Sequence, residues 1–117
     1  MRRALSIVAL TQPIDRRLQP RSPANGRAVL VAPGLEMACV IVDASAGGLK
    51  VRTDRQSSLP PQVIVVDVAA GLAIEAEVAW RKGVEAGLKL RGQSPLRGLV
   101  PSRLVAAREA WIRAGGR

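Results

Sequence analysis

The sequence has no histidine, phenylalanine or tyrosine, a single cysteine (Cys39) and only two tryptophans, Trp80 and Trp111. With no imidazole and one thiol it lacks the ligand set of a zinc site and cannot form an internal disulfide framework, as expected of a cytoplasmic protein. The missing imidazole also removes the base of a catalytic triad, and no nucleophile stands beside another convincing base, which argues against an enzyme. Scarce aromatics leave Val, Leu, Ile and Ala to fill the interior. They also remove the stacking platform that a single-stranded nucleic-acid binder needs, so no nucleic-acid partner is expected. No segment has the length of a membrane-spanning helix. Met1 to Leu10 combines two arginines with a short apolar run, but Thr11-Gln-Pro-Ile-Asp15 follows without the small-residue cleavage site of an export signal.

What is present fits one folded domain: 117 residues, 48% apolar and 23% charged. The formal charge of +9 is unevenly spread. Residues 1–27 hold six arginines against Asp15, residues 97–117 hold five against Glu109, and residues 28–96 balance seven basic groups with seven acidic ones. A neutral body with basic ends points to an anionic ligand, nucleic acid, an acidic protein or a membrane surface without choosing among them. Fifteen of the eighteen basic residues are arginine, whose planar guanidinium suits phosphates and base edges better than an ammonium does.

Along the chain, residues 1–24 carry three prolines and five arginines, which predicts a flexible basic arm. From Asn25 the pattern changes to short β-rich runs: Arg27–Ala32, Met37–Val42, Gly48–Arg52, Gln62–Val68, Leu72–Arg81 and Glu85–Leu90. Turn residues separate them at Pro33-Gly34, Ala46-Gly47-Gly48, Pro60-Pro61, Ala70-Gly71 and Lys82-Gly83. This spacing predicts an antiparallel barrel or sandwich over residues 25–92. Ile74, Ala76, Val78 and Trp80 alternate with Glu75, Glu77 and Ala79, the period of a strand with one buried face. Residues 93–117 read as a linker and a helix over Ser102–Arg113, with Pro101 and Ser102 marking its start. Leu104, Val105, Ala107, Trp111 and Ile112 form its apolar stripe, and Gly115-Gly116 ends it. Trp111 is expected to anchor the helix on the sheet, with Arg103 and Arg113 on the solvent side. Cys39 reads as a buried strand residue and Trp80 as core or barrel rim.

Two motifs stand out by their order. Arg17-Leu-Gln-Pro-Arg21 is an R-x-x-x-R in the arm, and Asp43-Ala-Ser-Ala-Gly-Gly48 is a D-x-S-x-x-G at the turn after the second strand. Either alone has a plain reading: arginine pairs recur in a chain this rich in arginine, and Asp and Ser favour turns by bonding their own backbone. Together they resemble the pairing that defines the PilZ family. The resemblance runs through Gly26-Arg27-Ala28, Cys39-Val-Ile-Val-Asp43, Ala76-Glu-Val-Ala-Trp80 and Gly87-Leu-Lys-Leu90, over about residues 15–92. It departs at Leu90, where the family commonly has Phe, a change expected to affect packing rather than binding.

The resemblance implies a small six-stranded antiparallel β-barrel of split-barrel type and a receptor for the bacterial second messenger cyclic di-GMP. The chemistry agrees. Arg17 and Arg21, with Arg16 as a spare, suit guanine O6/N7 edges or phosphates. Asp43 accepts from guanine N1 and N2, and Ser45 donates to phosphate or base. Gly47 and Gly48 let backbone approach the ligand and take positive-φ conformations at no steric cost. Arg27 is a secondary candidate for the same surface, and Arg52 another. Messenger binding would order the arm against the barrel and present a reshaped surface to an effector protein. The alternative is a PilZ-like adaptor that works by protein contacts without the nucleotide.

Overall fold

A computed structural model describes residues 26–116. The expected arm, with Arg16, Arg17 and Arg21, lies outside these residues. Six strands, β1 (Gly26–Ala32), β2 (Leu35–Ala44), β3 (Gly48–Thr53), β4 (Gln62–Asp67), β5 (Leu72–Lys82) and β6 (Glu85–Pro95), precede a 3-10 turn at Ser102–Leu104 and helix α1 (Val105–Arg113). All neighbouring strands are antiparallel, and they close into a barrel in the order β1-β2-β3-β6-β5-β4. The barrel is therefore two three-stranded meanders, β1-β2-β3 and β4-β5-β6, joined along two seams where β1 meets β4 and β3 meets β6.

Local chemistry sets the hairpins. Ala32 pairs with Leu35 across Pro33-Gly34, where proline presets the first central φ and Gly34 takes the second at +71°. The interior is aliphatic, built on Leu30, Cys39, Val51, Val65, Ile74 and Leu88. A second apolar layer lies outside the barrel, where the 3-10 turn and α1 cover β1 and β4 with Leu104, Ala107, Ala110 and Trp111 against Val29, Val31 and Val66. Those two strands are thus buried on both faces, which is why they read as unbroken apolar runs rather than alternations. Trp111 anchors the helix as expected: its Nε1 donates to the Val68 carbonyl at 2.9 Å.

Several local expectations are corrected. Strand β6 runs past Leu90 to Pro95, because its polar half still pairs by backbone with Leu72–Glu75. The register of β5 against β6 shifts between Val78 and Trp80, so Trp80 leaves the inward phase of Ile74 and Ala76 and lies 44% exposed on the outer surface. Val105 and Ile112, placed in the apolar stripe, are exposed; Ala110 takes their place against the barrel. Ser102 makes no side-chain cap, and the helix begins with a 3-10 turn instead. Arg103 and Arg113 are exposed as expected, yet each is tied to the barrel, to Glu75 at 3.1 Å and to Glu36 at 3.1 Å through Nε. The Arg113 hydrogen bond holds the Glu36 carboxyl below its ordinary range.

Cys39 lies inside the barrel, and burial pushes its thiol up to about 12. A thiol reagent such as dithionitrobenzoate is expected to label the native protein only as fast as the barrel opens, and the denatured protein at once. Rapid labelling of native protein at neutral pH would mean that the barrel interior is open to solvent.

Candidate functional site

The turn that carries Asp43, Ser45, Gly47 and Gly48 is shaped by an irregularity just before it. The register of β2 against β3 shifts between Ile41 and Asp43, leaving Val42 as an extra residue and setting Asp43 opposite Lys50. Bulges of this kind re-aim side chains at sheet rims. Asp43 is exposed, and its Oδ1 accepts from the Ala44 N–H at 3.0 Å. The Gly48 carbonyl closes the turn by accepting from the Ser45 N–H at 2.9 Å, with the Ser45 hydroxyl at 3.5 Å. The Gly47 carbonyl accepts from the Leu90 N–H at 3.1 Å, fastening the turn to β6.

Neither Gly47 nor Gly48 uses the positive φ that is open to glycine. Gly48 is required for a different reason: a Cβ there would stand 2.9 Å from the Leu88 carbonyl oxygen of the paired strand. A Cβ at Gly47 would meet nothing within 4 Å, so packing does not require glycine at that position.

These four residues share one open groove of about 310 Å³ with Lys50, Lys89, Trp80 and Gly87. Cross-strand register assembles its floor. Lys50 pairs with Gly87, and Gly87 with Trp80, so the three lie side by side across β3, β6 and β5. The indole lies over Gly87, where a Cβ would fall 2.0 Å from Nε1, so the ring position depends on glycine. Lys89 pairs with Gly48 at the groove's other side. Lys50 is 3.9 Å from Glu85, which also holds Arg52 at 3.5 Å; among the described residues no ion pair involves Asp43 or Lys89. The groove thus offers a carboxylate acceptor, a hydroxyl, two ammonium groups and an aromatic face within one concavity.

Trp80, Lys50, Lys89 and Gly87 were not singled out as site residues by sequence. The available signal was a glycine within a strand whose neighbouring strand carries a lone tryptophan, which marks a close packing of the two. Arg27 proves to lie elsewhere: its guanidinium donates to the Ala114 carbonyl at the end of α1, where cationic groups are favoured. With Arg97, Val68, Ala69, Gly115 and Gly116 it lines a second groove of about 320 Å³. Arg52 belongs to the Glu85 ion pairs.

The point where the preceding chain enters the barrel matters for the first groove. Strand β1 begins at Gly26 opposite Ile41, so the preceding chain joins the barrel at the rim where β2 bulges into Asp43. Compared with models of known protein families, residues 15–100 match that of the PilZ domain. No curated protein and no solved structure matches the sequence.

Proposed function

Because the chain belongs to the PilZ domain family, a family of cyclic di-GMP receptors, we propose that it binds this dinucleotide in the Asp43 groove and signals to a partner protein. The observation that carries the reading is the gathering of the Asp43-to-Gly48 turn, Lys89 and the exposed Trp80 ring in one concavity at the rim where the arginine-bearing segment attaches. Asp43 accepts from the donor edge of one guanine, whose face lies on Trp80, while Lys89 and Ser45 meet phosphate oxygens. Arg21 is five residues and Arg17 nine residues before Gly26. At ~3.3–3.6 Å per residue the intervening chain spans up to ~18 Å and ~32 Å, enough for both guanidinium groups to close over a ligand in this groove. The groove is near the lower end of ligand-site volumes, which are about 300–1,000 Å³, so it holds one half of the dinucleotide and leaves the other to the arm.

Calorimetric titration with cyclic di-GMP, with GTP and cyclic di-AMP as controls, tests the reading. Selective, saturable binding is the expected result. A folded sample that binds none of the three would favour the adaptor that works by protein contacts alone. The Trp80 contribution is separately measurable. Base–aromatic stacking is worth about 1–3 kcal/mol, so Trp80→Ala should weaken binding by roughly five- to 150-fold. Thermal unfolding should change little, because the ring lies on the outer surface. Unchanged affinity would remove the indole from the site.

A further inference from the structure

Five large apolar side chains are exposed among the described residues, and three of them, Leu99, Val105 and Ile112, belong to the segment that ends in α1. Val105 and Ile112 are seven residues apart, two helical turns, and so lie on one stripe of the helix with Arg108 and Glu109 between them. Arg108 donates to the Gly98 carbonyl at 2.5 Å, which holds the turn bearing the fully exposed Leu99 beside this stripe. The opposite face, with Leu104, Ala107, Ala110 and Trp111, is already spent on the barrel.

We infer that this outer face of α1 is the contact by which two copies of the chain associate, helix against antiparallel helix. A two-fold interface must be self-complementary, each residue meeting a partner that meets it in return. The order Val105, Arg108, Glu109, Ile112 meets that condition about an axis between residues 108 and 109. Val105 then falls opposite Ile112 of the second copy and Arg108 opposite Glu109, so the apolar contact and the charge pair are each made twice. A parallel arrangement would set Arg108 against Arg108. An acidic partner would instead have to meet Glu109, a carboxylate, near the centre of the stripe.

The nine-residue helix is only ~13.5 Å long, so the buried area falls short of the ~800 Å² per partner typical of stable complexes. Association is therefore weak and appears at high protein concentration. It leaves the Asp43 groove open, because α1 covers β1 and β4 while the groove is built on β2, β3, β5 and β6.

Sedimentation velocity of the full chain over a wide concentration range tests this inference. The weight-average mass should rise from monomer towards dimer with concentration. Ile112→Glu should hold it at the monomer, with unfolding unchanged because the side chain is exposed. Glu109→Arg should raise the dissociation constant roughly tenfold, since two symmetry-related contacts change sign together. Combining Arg108→Glu with Glu109→Arg re-forms both pairs in reverse and should restore association. A wild-type chain that stays monomeric throughout, an equal rise in mass for Ile112→Glu, or a double reversal that folds but does not recover would each overturn the two-fold contact.

Discussion

Replacing Arg17 and Arg21 together by Ala is expected to all but remove cyclic di-GMP binding while the barrel unfolds at its original temperature. This outcome follows from a division of labour in the chain. Among the described residues both hydrophobic clusters consist of apolar side chains between Ala28 and Trp111, and replacing two charged side chains before Gly26 is expected to leave that packing unchanged. Binding depends on the arginines differently. Within the Asp43 groove a dinucleotide would find one aromatic face, one carboxylate and two ammonium groups on an open surface, which would leave about half of it in water. Each charge-assisted hydrogen bond contributes about 1.5–3 kcal/mol. Loss of both arginines therefore removes about 3–6 kcal/mol, a reduction in affinity of roughly a hundred- to ten-thousandfold. Calorimetry and thermal denaturation on the same sample separate the two effects. A double variant that binds as wild type would sink the assignment of this pair to the ligand, even if the groove itself proved correct.

The largest effect on stability is expected at Trp111. It is 3% exposed and the largest side chain in the layer between α1 and the barrel. Neighbouring residues are shaped around it. A Cβ at Gly116 would stand 2.1 Å from the indole Nε1, one at Gly71 would stand 3.2 Å from the ring, and the Arg97 guanidinium lies 5.2 Å from the ring centre. Trp111→Ala is therefore expected to cost about 3–5 kcal/mol, combining lost burial with an unfilled cavity. That is a large share of the ~5–15 kcal/mol that holds a typical domain folded. Trp111→Phe keeps much of the packing and loses the bond to the Val68 carbonyl, for a cost of about 1–3 kcal/mol. Urea denaturation followed by far-UV circular dichroism checks both. A loss below about 1 kcal/mol for the alanine variant would mean that α1 does not unfold cooperatively with the barrel.

Much of the barrel was legible because its cues are local. Pro33-Gly34, Ala70-Gly71 and Lys82-Gly83 mark turns by residue chemistry, and the inward alternation of Ile74 and Ala76 marks a strand. Features set by a neighbouring strand were not legible. The second half of β6, Arg91 to Pro95, is mostly polar and exposed, and it is a strand because β5 pairs with it. The outward turn of Trp80 depends on a register shift that no alternation within β5 reveals. The same distinction divides the site. Asp43, Ser45 and Gly48 are neighbours in one turn and could be found as a motif, whereas Lys50, Lys89 and Trp80 come together only through cross-strand register. The helix misled in a similar way. Val105 and Ile112 fit an apolar stripe by spacing, but Ala107 and Ala110 allow the close approach that makes the other face the packed one.

The division of the barrel into two meanders has a kinetic meaning. Within each half, strands pair with sequence neighbours, so β1-β2-β3 and β4-β5-β6 form through short loop closures. The β1–β4 and β3–β6 seams join residues far apart in the chain and carry the larger entropic barrier. Helix α1 covers the first seam, and the Asp43 groove straddles the second, where Gly48 faces Lys89 and Lys50 faces Gly87. A half-barrel can form its hairpins without having a binding site. A nucleotide in that groove would recognise only the joined halves, so it would slow their separation and lengthen the lifetime of the native ring, without hastening the steps that build either half.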